Sequence, residues 1–212
     1  MIAPAERSAE RDAAIDALLP NVPFDGWTYR ALRAGLAASG GDPRDAETLF
    51  PGGAADMIAA WCDLADRRME RGAAALELGA MRTPARIRAV ISLRLAQNRV
   101  HKEAIRRALA ALALPGNARA AALCTARTVD AMWHAAGDHS ADFSWYTKRA
   151  ILTAVYTATL LYWLRDPADD DAATLGFLDR RLADVGRITR VRRTVGSTLG
   201  RLVPPVLRNA AP

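Results

Sequence analysis

The 212-residue sequence predicts an all-α fold, and three observations carry that prediction. Apolar residues recur at helical spacing along nearly the whole chain, with no alternating strand pattern of useful length. Alanine and arginine dominate while β-branched and aromatic residues are sparse, a balance that favours helix over strand. Proline and glycine punctuate the pattern often enough to give nine or ten helices with short connections. With 51% of residues apolar, the chain can bury one core of ordinary size, with small appendages.

The first helix runs from about Pro4 to Leu19 and turns Ile15, Leu18 and Leu19 inward; Pro20 and Pro23 stop it. A second covers about Thr28 to Ala38, ended by Gly40 and Gly41. A short third follows Pro43 and includes Ala46, Leu49 and Phe50 before Pro51 and two glycines. The long fourth spans about Ala54 to Leu78, with Met57, Trp61, Leu64 and Met69 near helical spacing. Thr83 before Pro84 reads as an N-cap hydroxyl ahead of a first-turn proline, opening a fifth helix to about Val100. The sixth holds Ile105, Leu109 and Leu112 and stops at Pro115; the seventh runs from about Asn117 to Ala136, closed by Gly137. Ser140 or Asp142 caps an eighth carrying Tyr156, Leu160, Leu161 and Trp163, ended by Asp166 and Pro167. The ninth begins in the acidic stretch Asp169 to Asp171, which suits a positive helix N-terminus, and Gly186 is its expected stop. A last helix covers about Ile188 to Val203, and Pro204-Pro205 terminates it. This divides the chain into an N-terminal subdomain (1–52), a larger helical domain (53–186) and a C-terminal helix with its tail (187–212).

The formal charge of +6 is unevenly spread. Residues 180–212 carry eight arginines against Asp184, so a near-neutral body bears a basic tail. Such asymmetry implies a polyanionic partner surface, either nucleic acid or anionic membrane. Cys62 and Cys124 each fall in an apolar helical pattern, with no C-x-x-C and no His at ligand spacing, and read as small core residues. His101, His134 and His139 are scattered, so no metal site is expected. The N-terminus has no apolar h-region, and the apolar run Ala150 to Leu164 is too short for a comfortable membrane span. The expected location is cytoplasmic, peripheral on the inner face of the membrane.

Residues 25–60 show two short helices about a glycine turn, the outline of a helix-turn-helix, in an order that resembles TetR-family regulators. The charge is wrong for reading DNA. Across 21–60, Arg30, Arg33 and Arg44 face Asp25, Asp42, Asp45, Glu47 and Asp56. A net-negative recognition helix repels phosphate, so the shape is expected without nucleic-acid binding. At the other end, Ile188, Val191, Val195, Leu199 and Leu202 form one apolar stripe, while Arg187, Arg190, Arg192, Arg193 and Arg201 occupy other positions. That pattern suits a helix lying in a membrane interface. A last helix packed on the body, or a nucleic-acid contact, would share it.

Asp142-Phe143-Ser144-Trp145-Tyr146-Thr147-Lys148-Arg149 is the most distinctive stretch. Adjacent aromatics on the first turn of a helix cannot both face one core, so one is expected to be partly exposed beside an arginine, as in a binding hot spot. Both could instead pack under the preceding loop.

On the run Gly137–Arg149 and its continuation AILTAVYTATLLYWLRD, the chain resembles the Coq-nine family of ubiquinone biosynthesis proteins. The TetR-like first half, Phe177–Val185 and the amphipathic tail extend the resemblance over most of residues 10–203. The resemblance implies a TetR-like fold without DNA reading and an isoprenoid lipid held in a pocket of the larger domain. It further implies membrane association through the last helix, and a di-iron quinone hydroxylase as partner, to which the lipid is presented. Carried over by motif, the partner surface is Asp142, Trp145, Tyr146 and Arg149, with Asp138 beside them. A homodimer through late helices is also implied.

The pocket follows no tight motif. By pattern, Met57, Trp61 and Leu64 share a face of one helix, Met132 and Trp133 end another, and Tyr156, Leu160 and Trp163 line a third. Flexible methionine and flat aromatics suit an isoprenoid chain, although the same residues would also build a plain core. No phosphate loop, nucleophile with a base, or E-x-x-H spacing is present, so neither catalysis nor a cofactor is expected. The alternative is a TetR-type ligand-responsive repressor, which shares the fold but calls for a basic first domain.

Overall fold

A computed structural model of the chain describes residues 6–138, 144–168 and 170–202; for residues 144 and 188–202 it gives the backbone alone. Ten α-helices and four short 3-10 turns make up the described residues, with no strand among them.

Helix α1 (Ala9–Leu18) starts where the Ser8 hydroxyl accepts the Arg11 N–H at 3.1 Å, a local cap that fixes the boundary. The one-turn α2 (Val22–Asp25) follows, with Pro23 in its first turn. Helix α3 (Tyr29–Ala38) is capped by Thr28, whose hydroxyl accepts from Ala31 at 3.2 Å. It ends at Gly40, at φ +80°, with Gly41 N–H reaching back to the Leu36 carbonyl at 2.9 Å. A 3-10 turn at Pro43–Asp45 leads into α4 (Ala46–Leu49). The body follows as α5 (Gly53–Ala74), α6 (Thr83–Gln97), α7 (Lys102–Leu112), α8 (Ala118–Ala135), α9 (Ser144–Arg165) and α10 (Ala172–Leu202).

Several boundaries differ from the sequence reading: α1 begins at Ala9 rather than about Pro4, and α5 ends at Ala74 rather than about Leu78. Thr83 is the first helical residue rather than the cap; Arg82 takes the capping position in extended backbone and no side chain closes that end. Gly186 does not stop a helix, because α10 continues through it to Leu202. An interior glycine costs a helix only about 1 kcal/mol relative to alanine, and without a following proline the pattern simply continues. The expected caps Ser140 and Asp142 lie outside the described residues, as do Asp169, Pro204 and Pro205.

One core joins α1 to the first turns of α10. Helix α5 is its axis, packing most extensively against α8 and also against α1, α6 and α7. Helix α1 and Arg7 just before it are fastened to this body by charge as well as by burial. Arg7 pairs with Asp63 at 2.6 Å, Arg67 bridges Asp12 and Asp63 at 2.6 and 2.9 Å, and Arg68 pairs with Asp16 at 2.6 Å. Arg11 is buried, stacked over Phe50, bonded to the Leu49 carbonyl and paired with Asp56 at 2.5 Å. Trp27 packs on Trp61 with ring centroids 5.5 Å apart and donates its indole N–H to the Ala104 carbonyl at 3.0 Å, so α7 holds the front end from the other side.

Candidate functional site

Between α5, α6, α7, α8 and α9 lies a cavity of about 90 Å³. Each helix turns one face to it at helical spacing: Ile58, Trp61 and Cys62 from α5; Ile105, Ala108, Leu109 and Leu112 from α7; Cys124, Thr125 and Thr128 from α8; Tyr156, Leu160 and Trp163 from α9. Helix α6 supplies Leu95 and Arg94, and Asn98 follows at its end.

Of the eight residues expected to line a pocket, the cavity brings together Trp61, Tyr156, Leu160 and Trp163. Met57, Leu64, Met132 and Trp133 are buried in the core and do not border it. On α5 the wall is centred on Ile58, Trp61 and Cys62, about one residue round the helix from the Met57–Trp61–Leu64 stripe, which carries the apolar packing instead. Both cysteines are free and border the cavity, Cys124 buried and Cys62 partly so. A hydrogen bond to Cys124, then burial, pushes the Cys62 thiol well up.

The polar end of the cavity escaped the sequence reading. Arg94 and Asp66, both buried, approach to 3.0 Å, and the Thr128 hydroxyl donates to the other Asp66 oxygen at 3.0 Å. The Arg94–Asp66 contact is off-axis: neither Arg94 Nη1 nor Asp66 Oδ1 completes a hydrogen bond. Burial pushes Asp66 up to about 6 against the pull of Arg94. For Arg94, burial lowers the pKa, but Asp66 and then Tyr156 outweigh it, and the guanidinium stays charged. Tyr156 is raised by burial, partly offset by Arg94. The signal was in the sequence: Arg94 sits on the same stripe as Ile87, Val90, Ile91 and Leu95, and Asp66 lies between Leu64 and Met69. An arginine and an acid, each on a buried stripe, are a pair before they are anything else.

The second candidate site is the start of α9. Tyr146 is 75% exposed, Trp145 is half-buried, and their rings meet edge to face at 4.8 Å. The Arg149 guanidinium lies 3.9 Å over the Trp145 ring and is anchored by Asp130, a residue the sequence reading did not select. Asp138 pairs with Lys148 at 3.1 Å beside them. Asp142 lies outside the described residues. Ile188, Arg190, Val191, Arg192, Arg193, Val195, Leu199, Arg201 and Leu202 all fall on the α10 backbone, and their side chains lie outside the description. No helix among the described residues is long and apolar enough to cross a membrane.

Comparison with known proteins agrees with this architecture. The chain overlays the crystal structure of a TetR transcriptional regulator from Nitrosomonas europaea with a TM-score of 0.66, covering 83% of this chain and 97% of that one at 22% identity. At that identity the likeness is one of fold. Residues 118–189, spanning α8, α9 and the first part of α10, match the family model described as COQ9. The chain is 33% identical to the mitochondrial ubiquinone biosynthesis protein COQ9 of Rattus norvegicus, over 87% of this chain and 61% of that protein. It is also 33% identical to the Homo sapiens protein, of which it covers 60%, and 29% identical to the Schizosaccharomyces pombe protein, of which it covers 74%. The chain thus spans about three fifths of the length of the mammalian relatives. On the match through α8 to α10 and the likeness over most of its length, the chain is similar to proteins of the COQ9 family.

Proposed function

We propose that this protein is a non-catalytic accessory protein of ubiquinone biosynthesis, which binds an isoprenoid quinone precursor and presents it to a membrane-associated di-iron hydroxylase. The observation that carries the reading is a mainly apolar cavity whose walls are the same helices, α8 and α9, that bear the Trp145–Tyr146–Arg149 surface. A polyprenyl chain is held in a bilayer by about 0.8 kcal/mol per buried CH₂, and a dry cavity offsets that cost when the lipid leaves. At about 90 Å³ the space takes one ring or one isoprene unit, so a longer chain has to part α7 from α8, which touch sparsely.

The exposed Tyr146 with the Trp145–Arg149 stack makes the docking surface for the hydroxylase: large rigid aromatics beside an arginine are what interface hot spots use. The basic stripe of α10 provides the membrane contact, and the late helices provide a homodimer. The repressor reading is disfavoured by the charges of the helix-turn-helix region. Its three arginines each face a carboxylate: Arg30 with Asp25 at 3.3 Å, Arg44 with Asp42 at 2.7 Å, and Arg33 with Glu47. Phosphate contacts would have to break those pairs.

The deciding experiment is organic-solvent extraction of the purified protein and mass spectrometry of the extract. A co-purifying isoprenoid quinone or precursor is expected. Protein that carries only phospholipid, or nothing, counts against the lipid-presenting reading.

A further inference from the structure

We propose that the cavity takes its ligand ring-first: its polar end is a subsite for an oxygen-bearing aromatic ring, a phenol or quinone, with Arg94 Nη1 donating to the ring oxygen. This rests on the reading of the cavity as a lipid site and says which end of the lipid enters it.

Three observations carry it. The first is size. The space is about 90 Å³, smaller than the roughly 150 Å³ of a buried cavity known to take up benzene. It holds one flat ring after widening, or one isoprene unit; anything longer has to part α7 from α8.

The second is the unsatisfied polar pair. Arg94 is 5% exposed and borders the cavity, and its Nη1 has no hydrogen-bond acceptor; Asp66 approaches it at 3.0 Å but off-axis, leaving its own Oδ1 unbonded too. A buried donor without an acceptor costs about 1–3 kcal/mol. A purely apolar tail would leave that cost in place, whereas a ring oxygen removes it.

The third is the composition of the walls. Trp61, Tyr156 and Trp163 offer three aromatic faces and edges around the space, suited to a flat ring. Thr125 is committed to the Ala121 carbonyl at 2.9 Å and Thr128 to Asp66, while the Tyr156 hydroxyl lies beside Arg94. Asn98 spends its amide N–H on the Arg94 carbonyl at 2.7 Å. Arg94, with the Tyr156 hydroxyl beside it, is therefore the donor group left for a ligand. A neutral acceptor fits better than an anion, because the buried Asp66 carboxylate lies beside the same guanidinium.

The test is isothermal titration of the wild-type protein, stripped of lipid, with three probes: 4-methylphenol, toluene and 2-methyl-2-butene. The first two share a shape and differ by the oxygen; the third is one isoprene unit. We expect 4-methylphenol to bind at least tenfold more tightly than either of the others. The double variant Arg94→Met, Asp66→Asn removes both charges together and leaves Thr128 an amide oxygen to bond. It is expected to bind 4-methylphenol at least tenfold more weakly than wild type and toluene within threefold. The wild-type comparison stands even if that variant does not fold. Binding of toluene or 2-methyl-2-butene within tenfold of 4-methylphenol, or tighter, in the wild type overturns the ring-first reading and leaves the lipid cavity intact. Failure of 4-methylphenol to bind also overturns the ring-first reading, while the lipid reading stands or falls on the solvent extraction.

Discussion

Trp163 Nε1 donates to Asp171 Oδ1 at 2.8 Å across the turn between α9 and α10, and both side chains are buried. The other Asp171 oxygen accepts from Arg99 at 2.6 Å, and Lys102 lies 4.8 Å over the Trp163 ring. Asp171 holds φ at +54°, a region that aspartate tolerates better than most residues. One aspartate therefore ties a wall of the cavity to the last helix and to the end of α6. Asp171→Ala is expected to lower stability by about 2–4 kcal/mol, stranding a buried indole N–H. Asp171→Asn, which keeps an acceptor, should cost about half as much. Removing the exposed partner of Arg88 with Asp179→Ala should cost under about 0.5 kcal/mol. Urea denaturation midpoints of the three variants check the order.

The raised pKa of Asp66 makes a signed prediction. Its folded value of about 6 exceeds the ordinary value of 3.8, so between those pH values the folded state binds more protons than the unfolded one. Stability from this group is therefore greatest below about pH 4 and falls as pH rises through 6, by about 3 kcal/mol in all. Asp63 and Asp166, lowered in the fold, act in the opposite direction. The informative quantity is thus the difference between wild type and Asp66→Asn. That difference should shrink or reverse against wild type from pH 4 to pH 7; a flat profile would show that Asp66 is not desolvated.

Gly35 marks the closest approach of α1 and α3. A Cβ there would lie 2.2 Å from the Ala17 carbonyl oxygen, which is backbone and cannot swing aside. Gly35→Ala is expected to destabilise by about 3 kcal/mol or more, despite alanine's better helix propensity. Gly79→Ala, where nothing lies within 4 Å, is the control, with a change near zero in thermal unfolding.

On the α9 surface, Tyr146→Ala should leave thermal stability within about 0.5 kcal/mol, since the ring is 75% exposed. Trp145→Ala should cost about 1–2 kcal/mol, because it also removes the face on which Arg149 stacks. Both should abolish capture of the quinone hydroxylase in a pull-down. Retained capture by the folded variants would displace the partner surface from this end of α9.

Much of the fold was legible because its signals are local. Gly40 closes α3 in the conformation that glycine favours, as read; the Ser8 and Thr28 caps, each closed by a hydroxyl accepting from the N–H three residues on, were equally local but went unread. Where a local signal had to be weighed against continuity it misled: Thr83 was absorbed into α6, and Gly186 into α10. The cavity was half legible. Of the expected residues on helical stripes, Trp61, Tyr156, Leu160 and Trp163 border the cavity, while Met57 and Leu64 lie beside its wall, because periodicity cannot tell a wall from the packing one residue round the helix. Arg94 and Asp66 were hidden for a different reason. A charge on a buried stripe reads as an interruption until its partner, 28 positions away, is brought beside it. The same holds for the Arg7, Arg67 and Arg68 pairs that bind α1 to α5.

The unbroken course of α10 has a mechanical consequence. Thirty-one residues at 1.5 Å each make a shaft of about 46 Å, whose first turns are clamped on α9 and α6, with Tyr162 stacked on Phe177 at 4.6 Å. A flexible leash at that position would let the body tumble at whatever its arginines hold. Under the proposed membrane contact a continuous helix acts as a bracket: seating its basic end would also set the angle of α9, and with it the direction in which Tyr146 faces. Anchorage and aim then become one event, and a proline placed at Gly186 would separate them.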